Sequence, residues 1–166
     1  MKKIILAVQL VIALGIFPGC TTSQKTDDDK ESGNLELNDI QLETLQGEQI
    51  DLSRYEGKTI FINFWATWCK PCLQEMPSIQ KAMEQVNTDQ VVFLFPSNES
   101  TEEIQNFKEK RSYPFNFVRV NNLESLNFYA LPTTLIFDSE GTLIFSESGF
   151  RDWSTKENLA LINKPK

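Results

Sequence analysis

The sequence predicts an α/β fold, in which a mixed central β-sheet is flanked by helices on both sides and carries an N-terminal β-hairpin extension. Two runs rich in apolar, β-branched and aromatic residues, 59–65 and 91–95, have the composition of strands buried on both faces. Between them, residues 70–87 carry apolar side chains at helical spacing. A strand, a helix and a second strand in this order are typical of a parallel pair joined by a crossover helix.

Shorter patterns predict the remaining elements. Apolar alternation on both sides of Gly47 predicts the hairpin. Ser100 is the expected N-cap of a second helix over 101–110, because a polar cap residue is followed by acidic residues in the first turn. The other predicted segments are a connector at 53–58, strands at 115–120, 133–137 and 143–146, a tight turn at 139–141, a short helix or loop at 123–129 and a helix at 154–162.

Composition and charge exclude several classes of function. The chain has 166 residues, 40% of them hydrophobic, which is enough for a single core without stabilising disulfides. It contains no histidine, which removes Ser-His-Asp and Cys-His catalysis and imidazole metal ligands. The formal charge of −7 argues against nucleic-acid binding. We expect no metal and no cofactor, and a monomer, because no pattern indicates an extensive interface.

The N-terminal residues predict an export signal. Two lysines precede an apolar stretch over 4–17, which is shorter than the roughly 20 residues of a membrane-spanning helix. The stretch ends at Gly19-Cys20, which resembles the lipobox of bacterial lipoproteins, where the cysteine is acylated and becomes the new N-terminus. Phe17 and Pro18 depart from the usual pattern, so a plain secretory signal with an incidental cysteine stays open.

These observations divide the chain into three parts. Residues 1–19 are expected to be a lipoprotein signal peptide. Residues 20–34 are expected to be the lipidated Cys20 and a disordered polar tether, because residues 21–34 contain no large apolar side chain. Residues 35–166 are expected to form one domain.

The stretch WATWCKPCLQEMP, residues 65–77, holds the other two cysteines, Cys69 and Cys72. A c-type haem site would need histidine where Leu73 stands, and a zinc ribbon would need a second pair of ligands. A disulfide across four residues closes almost no loop, so a purely structural role would stabilise the chain little. The spacing therefore favours a redox couple.

The position of the pair predicts its chemistry. The cysteines lie between a predicted strand and a predicted helix, at the end of a sheet strand where α/β proteins place their sites. The helix N-terminus and the positive charge of Lys70 favour a thiolate at Cys69, and Pro71 suits a first helical turn. We therefore expect Cys69 to be the nucleophile and Cys72 the resolving thiol.

Several motifs in order resemble the TlpA/ResA-like thiol-disulfide oxidoreductases, a membrane-tethered group with a thioredoxin-like fold. The resemblance covers roughly residues 37–162 and rests on Leu52-Ser53 through Gly57-Lys58, then NFWATWCKPCLQEMP, then LPTTLIFDSEGTLI. It implies that Leu131-Pro132 supports the active site, with Pro132 as a cis-proline that faces the disulfide. The backbone there would pair with the substrate chain like an added strand.

The same resemblance assigns roles beside the cysteines. Thioredoxins carry a buried aspartate at the position of Asn63, which cannot titrate. Instead Glu75, three residues after Cys72 on the same helical face, is implied to take the proton of the resolving thiol. A solvent-facing glutamate in a salt bridge is the alternative. Trp65 is expected in the core, and Trp68 in a rim that shields Cys69 and contacts partners.

The implied function is reduction of disulfides outside the cytoplasm. The resemblance predicts an enzyme that is lipid-anchored to a bacterial membrane, in the periplasm or cell envelope, and reduces a disulfide-bearing protein substrate. It predicts a membrane electron-donor protein and suggests apocytochrome c as a substrate class. Two alternatives stay open: a disulfide oxidase or isomerase, favoured by Lys70 between the cysteines, and a binding module without catalysis.

Overall fold

The computed structural model describes residues 35–163. The predicted signal peptide, Cys20 and the polar tether lie outside the described residues. Within residues 35–163, no helix is long and apolar enough to span a membrane. The strands and α-helices of this part, in chain order, are β1 (Leu42–Glu43), β2 (Gln49–Ile50), β3 (Thr59–Phe64), α1 (Lys70–Met83), β4 (Val91–Ser97), α2 (Thr101–Lys110), β5 (Phe117–Val120), β6 (Thr133–Phe137), β7 (Leu143–Ser148) and α3 (Lys156–Ile162).

The strands form one mixed sheet in the order β2-β1-β5-β4-β3-β6-β7. β3, β4 and β5 are parallel neighbours, whereas β6 and β7 run antiparallel beside β3. The predicted hairpin, β1 and β2, extends the opposite side of the sheet by pairing with β5. The predicted α/β fold with a mixed sheet, flanking helices and a hairpin extension is therefore confirmed.

Apolar side chains fill both faces of the sheet. All six residues of β3 are buried, as the unbroken apolar run predicts. One core cluster joins the sheet to α1, α2 and α3 through Met76, Ile104 and Ile162. The cluster on the other face includes Leu52 and Leu126, which belong to short 3₁₀ helices rather than to an α-helix. The helices expected on both sides of the sheet are therefore α-helices in one cluster and 3₁₀ helices in the other. The N-terminus of α1 follows the end of β3 after a segment of five residues, on the side of the sheet that the α-helices cover.

Several boundaries differ from the prediction, while every element is of the predicted type. α1 ends at Met83 rather than near residue 87, because the next residues form a turn in which Gln85 N donates to Ala82 O. β4 continues to Ser97, because Pro96 still pairs with Val118 of β5. The remaining shifts are a later start of β5 at Phe117, a longer β7 that ends at Ser148, and a later start of α3 after its N-cap Thr155.

Candidate active site

The two cysteines form a disulfide at the N-terminus of α1. Cys69 is the N-cap of the helix, Cys72 lies in the first turn, and their Cα atoms are 5.3 Å apart. The backbone N–H of Cys72 donates to Cys69 Sγ at 3.2 Å. This donor and the positive end of the helix dipole stabilise negative charge on the Cys69 sulfur when the disulfide is reduced.

The two sulfurs differ in access. Cys69 keeps 3% of its surface exposed, whereas Cys72 is completely buried. Lys70 is exposed directly after Cys69, and Pro71 occupies the first helical turn as the sequence predicts. A partner's sulfur can therefore approach only Cys69, which is what the predicted roles of nucleophile and resolving thiol require.

Glu75 is fully buried and lies about one helical turn after Cys72 on α1. It has no exposed surface and lies on the face of α1 that also buries Cys72 and Met76. Its Oε1 accepts a hydrogen bond from Asn63 Nδ2 at 2.6 Å, and its Oε2 accepts one from the backbone N–H of Arg151 at 3.1 Å. The alternative of a solvent-facing glutamate is therefore wrong.

The environment of Glu75 suits proton exchange near neutral pH. Burial raises the pKa of its carboxyl group from 4.5 to about 7. The hydrogen bonds from Asn63 and the Arg151 backbone, and the Arg151 charge, favour the ionised form and limit this rise. The Trp153 indole lowers the pKa as well, although its N–H makes no hydrogen bond of normal geometry with the described residues. A carboxyl group with this pKa can accept or give a proton at physiological pH.

The loop before β6 reaches the same edge of the sheet. The Leu131-Pro132 peptide bond is cis, as the family resemblance implies, and Leu131 packs against the core. Thr133 pairs with both Phe64, at the end of β3, and Ser148, at the end of β7. The segment after β3 that carries Cys69 therefore starts beside Pro132. Pro132 O already accepts from Gly149 N at 2.7 Å, so main-chain pairing with a substrate at Pro132 stays a prediction.

Three exposed aromatic side chains surround this edge, and we call them the active-site rim: Trp68, Tyr129 and Phe150. Among the described residues they are the exposed large hydrophobic side chains, at 73%, 98% and 57% of their surface. Each lies within four residues of the Phe64–Thr133–Ser148 row. The sequence singled out Trp68 alone, whereas Trp65 is buried as predicted and its indole N–H donates to Phe95 O.

Sequence reasoning missed Glu99, which holds the segment before Cys69. Its carboxylate accepts from Thr67 N at 2.7 Å and from Thr67 Oγ1 at 2.6 Å, and Ser97 Oγ donates to it at 3.0 Å. Glu99 follows the carboxyl end of β4, and polar residues after adjacent parallel strands meet at one edge of a sheet. That rule was the available signal for this contact. Arg151 was missed as well, and no local pattern marks it.

The fold and the disulfide define a class, the thiol-disulfide oxidoreductases of thioredoxin fold. The solved structure of the pneumococcal exposed lipoprotein thioredoxin from Streptococcus pneumoniae is similar, with a TM-score of 0.58 and 25% identity. The similarity covers 75% of this chain and 96% of that one. This likeness places the Cys69–Cys72 disulfide on a fold that other disulfide-exchanging proteins share.

Sequence comparisons give the family. The thiol-disulfide oxidoreductase ResA of Halalkalibacterium halodurans is 31% identical over 128 residues, which cover 75% of this chain and 73% of that protein. The thioredoxin-like protein YneN of Bacillus subtilis is 32% identical over 151 residues, which cover 86% and 88%. The model of the AhpC/TSA family matches residues 34–146. The chain belongs to the AhpC/TSA family and is a thiol-disulfide oxidoreductase related to the ResA proteins, which confirms the predicted resemblance.

Proposed function

We propose that this oxidoreductase works as a reductase of protein disulfides outside the cytoplasm, through Cys69, Cys72 and Glu75. The observation that carries the exchange chemistry is the buried carboxyl group of Glu75 on the same helical face as the buried Cys72. The reducing direction is what the TlpA/ResA resemblance suggests. A resolving thiol with no access to water needs a proton acceptor inside the protein, and Glu75 is that acceptor. Trp68, Lys70, Pro71, Leu131 and Pro132 shape and support the site around the pair.

The reaction proceeds in two exchanges. The Cys69 thiolate attacks one sulfur of the partner's disulfide, a mixed disulfide forms, and the partner's other sulfur leaves as a thiolate that takes a proton from water. Cys72 then gives its proton to Glu75 and attacks the Cys69 sulfur. The Cys69–Cys72 disulfide forms and the partner's second sulfur leaves as a thiolate. Two electrons pass to the partner, which is reduced, and the enzyme is oxidised.

Repeated turnover needs electrons from outside this chain. A membrane electron-donor protein that carries a dithiol would reduce the Cys69–Cys72 disulfide and become oxidised itself. The partner is a disulfide-bearing protein, and apocytochrome c is the substrate class that the TlpA/ResA resemblance suggests. We propose that acylation of Cys20 anchors the domain to a bacterial membrane through the 20–34 tether. The solved relative described as an exposed lipoprotein thioredoxin supports this arrangement.

A second direction has its own support. Cys69 caps α1 beside the exposed Lys70, and both features stabilise the thiolate of the reduced form. A couple whose reduced form is stabilised is more oxidising, so the same geometry would suit a disulfide oxidase or isomerase. The chemistry of Glu75 is the same in reverse, because it would then return a proton to Cys72.

The reduction potential of the Cys69–Cys72 couple separates the two directions. It is measured on the purified protein by equilibration with glutathione and dithiothreitol buffers. A value near or below about −250 mV, in the range of thioredoxin, supports a reductase. A value near about −120 mV, like that of a strong oxidant, would overturn the reductase and assign the role of disulfide donor.

A further inference from the structure

Asn63 is a buried amide that lies between Glu75 and Thr134. Its side chain has no exposed surface. Nδ2 donates to Glu75 Oε1 at 2.6 Å and to Thr134 Oγ1 at 2.9 Å, and Thr134 is its direct cross-strand partner on β6. Oδ1 has no hydrogen-bond partner among the described residues. The amide therefore uses its nitrogen twice and leaves its oxygen unpaired in the core.

This orientation suits only one protonation state of Glu75. A carboxylate accepts hydrogen bonds, and Asn63 Nδ2 supplies one. A protonated carboxyl group must also donate its O–H, and an amide nitrogen cannot accept it. The separation of 2.6 Å is shorter than the usual range for N–H···O, about 2.7–3.2 Å, and lies within that for O–H···O, about 2.5–3.0 Å. The spacing therefore lies just below the usual range for an amide donor and within the range for a hydroxyl donor.

When Glu75 is protonated, its proton should lie on Oε1, the oxygen next to Asn63. The other oxygen, Oε2, is held by the backbone N–H of Arg151, which is a donor at every pH. Among the described residues, the Cys72 thiol shares the helical face of Glu75, and the Arg151 guanidinium is paired with Glu147 and donates to Asn158. The Trp153 indole N–H is only a donor, so none of these three groups offers a strong neutral acceptor to Oε1.

We propose that Asn63 positions Glu75 in both protonation states by turning its amide. Nδ2 donates to the carboxylate, and after a half-turn of the terminal torsion, Oδ1 accepts the O–H of the carboxylic acid. This inference rests on the proposed proton exchange between Glu75 and Cys72. The half-turn breaks only the two hydrogen bonds of Nδ2, because Oδ1 makes none with residues 35–163. Thr134 fits both orientations, because a hydroxyl group accepts from Nδ2 in one and donates to Oδ1 in the other.

An NMR titration of the full-length protein tests the half-turn directly. The protein is labelled with ¹⁵N-asparagine and ¹³C-glutamate, and the Asn63 amide protons are followed by nuclear Overhauser contacts. Above the midpoint of Glu75, the amide protons should lie next to Glu75 and Thr134. Below it they should lose these contacts, with the same midpoint as the Glu75 carboxyl signal. Amide contacts that stay constant while Glu75 titrates would overturn the proposal.

The variant Asn63→Leu separates positioning from packing. It keeps a similar volume but removes both the donor to the carboxylate and the acceptor for the acid. Because a hydrogen bond to a charged group is about twice as strong as a neutral one, the acid dissociation constant of Glu75 should still fall, by roughly fivefold. The pH midpoint of mixed-disulfide resolution should move up with it. Thr59→Val, at the other end of β3, is the control for disturbing the strand and should leave the midpoint unchanged.

Each outcome decides between the explanations. If Asn63→Leu lowers the rate equally at every pH, Asn63 is structural and the proposal fails. If the variant does not fold, the titration of the unaltered protein still decides. The proposed function fails through a different result, a rate of mixed-disulfide resolution that does not change when Glu75 is replaced. That result would not alter the outcome of the NMR titration of the Asn63 amide.

Discussion

The surroundings of the two cysteines differ, although one disulfide joins them. Cys69 lies at the edge of the sheet that also carries the active-site rim, whose three aromatic side chains are mostly exposed. Cys72 shares its helical face with a buried polar network, formed by Asn63, Glu75, Thr134 and the Arg151 backbone. Contact with a partner protein needs apolar side chains that are exposed on the surface. Proton exchange by a carboxyl group with a raised pKa needs burial. Substitutions in the two regions should therefore change different quantities.

The largest effect is expected where both regions meet, at Cys69. Cys69→Ala should reduce turnover of a protein disulfide to the uncatalysed rate, because Cys72 cannot be reached by a partner. The free energy of unfolding should change little, because the disulfide closes a loop of only four residues. Turnover and denaturant unfolding of the variant measure the two effects.

Cys72→Ser is the matched variant. It keeps the nucleophile and removes the resolving thiol, so a mixed disulfide between Cys69 and its partner should accumulate and survive non-reducing electrophoresis. Full activity of Cys69→Ala, or the absence of any trapped species with Cys72→Ser, would contradict the assigned roles.

The next effect concerns the buried network. Glu75→Gln should slow resolution of the mixed disulfide by about a hundredfold, the scale of a lost general base. In the unaltered protein this step should become faster as the pH rises through about 7, because only the ionised carboxylate can accept the proton of Cys72. The variant should lose that dependence. Stopped-flow measurement of resolution against pH checks both.

Glu84→Gln is the control for that experiment, because Glu84 is an exposed glutamate at the end of the same helix. It should keep the rate and the pH profile. A Glu75→Gln variant with an unchanged pH profile would remove Glu75 from the mechanism and leave the network with a structural role.

Burial of Glu75 should also appear in the pH dependence of stability. Its pKa is about 7 in the folded protein and 4.5 in its ordinary state, so the folded state binds more protons between these values. The stabilisation is complete below about pH 4.5 and is lost as the pH rises through 7, by about 3 kcal/mol in total. Denaturant unfolding of the oxidised protein between about pH 5 and 8 measures the slope.

Three other carboxyl groups in the described part of the chain have lowered pKa values, which separates their effect on stability from that of Glu75. Hydrogen bonds from nearby serines lower the pKa of Asp51, Glu103 and Asp152, so their stabilisation is lost only when the pH falls below the ordinary range. Above pH 5 the slope therefore reports Glu75. The free energy of unfolding of Glu75→Gln should not change with pH in this range. An equal slope in both proteins would refute the assignment to Glu75.

A smaller effect is expected at Glu99, which fixes the segment between the two regions. Glu99→Ala removes the acceptor of two Thr67 hydrogen bonds and should destabilise the protein by about 1–2 kcal/mol. Hydrogen exchange of the Thr67 amide should become faster, because its acceptor is lost. Glu109→Ala, an exposed glutamate on α2, is the control. An unchanged rate of hydrogen exchange at the Thr67 amide would show that the segment before Cys69 does not depend on Glu99 for its conformation.

The sequence predicted the fold and the position of the cysteines because their signals are local. Buried strands have continuous apolar runs, as in β3, and α2 has a capping box in which Ser100 and Glu103 bond reciprocally. Cys69 and Cys72 were placed correctly because a helix N-terminus is set by the residues beside it. The predicted end of α1 lies too far along the chain, because the turn after Met83 ends the helix and residue propensity does not.

The network and the rim depend on residues far apart in the chain. The backbone N–H that binds Glu75 comes from Arg151, 76 positions away, and Glu99 is 32 positions from Thr67. A glutamate on a helix is exposed in most proteins, so its burial follows only from what packs over it. Tyr129 and Phe150 had no motif, and sheet register alone brings their loops beside Cys69.

The smallest effects on stability are expected at the rim, where they sharpen the contrast with the network. Trp68→Ala, Tyr129→Ala and Phe150→Ala should each change the free energy of unfolding by no more than about 0.5 kcal/mol, because the side chains are mostly in solvent. Each should lower kcat/KM for a protein disulfide by about fivefold, the loss of roughly 1 kcal/mol of partner contact. The rate with oxidised glutathione, which is too small to reach the whole rim, should stay unchanged. An equal loss with both substrates would mean that the rim acts on the Cys69–Cys72 disulfide itself, and not on the choice of partner.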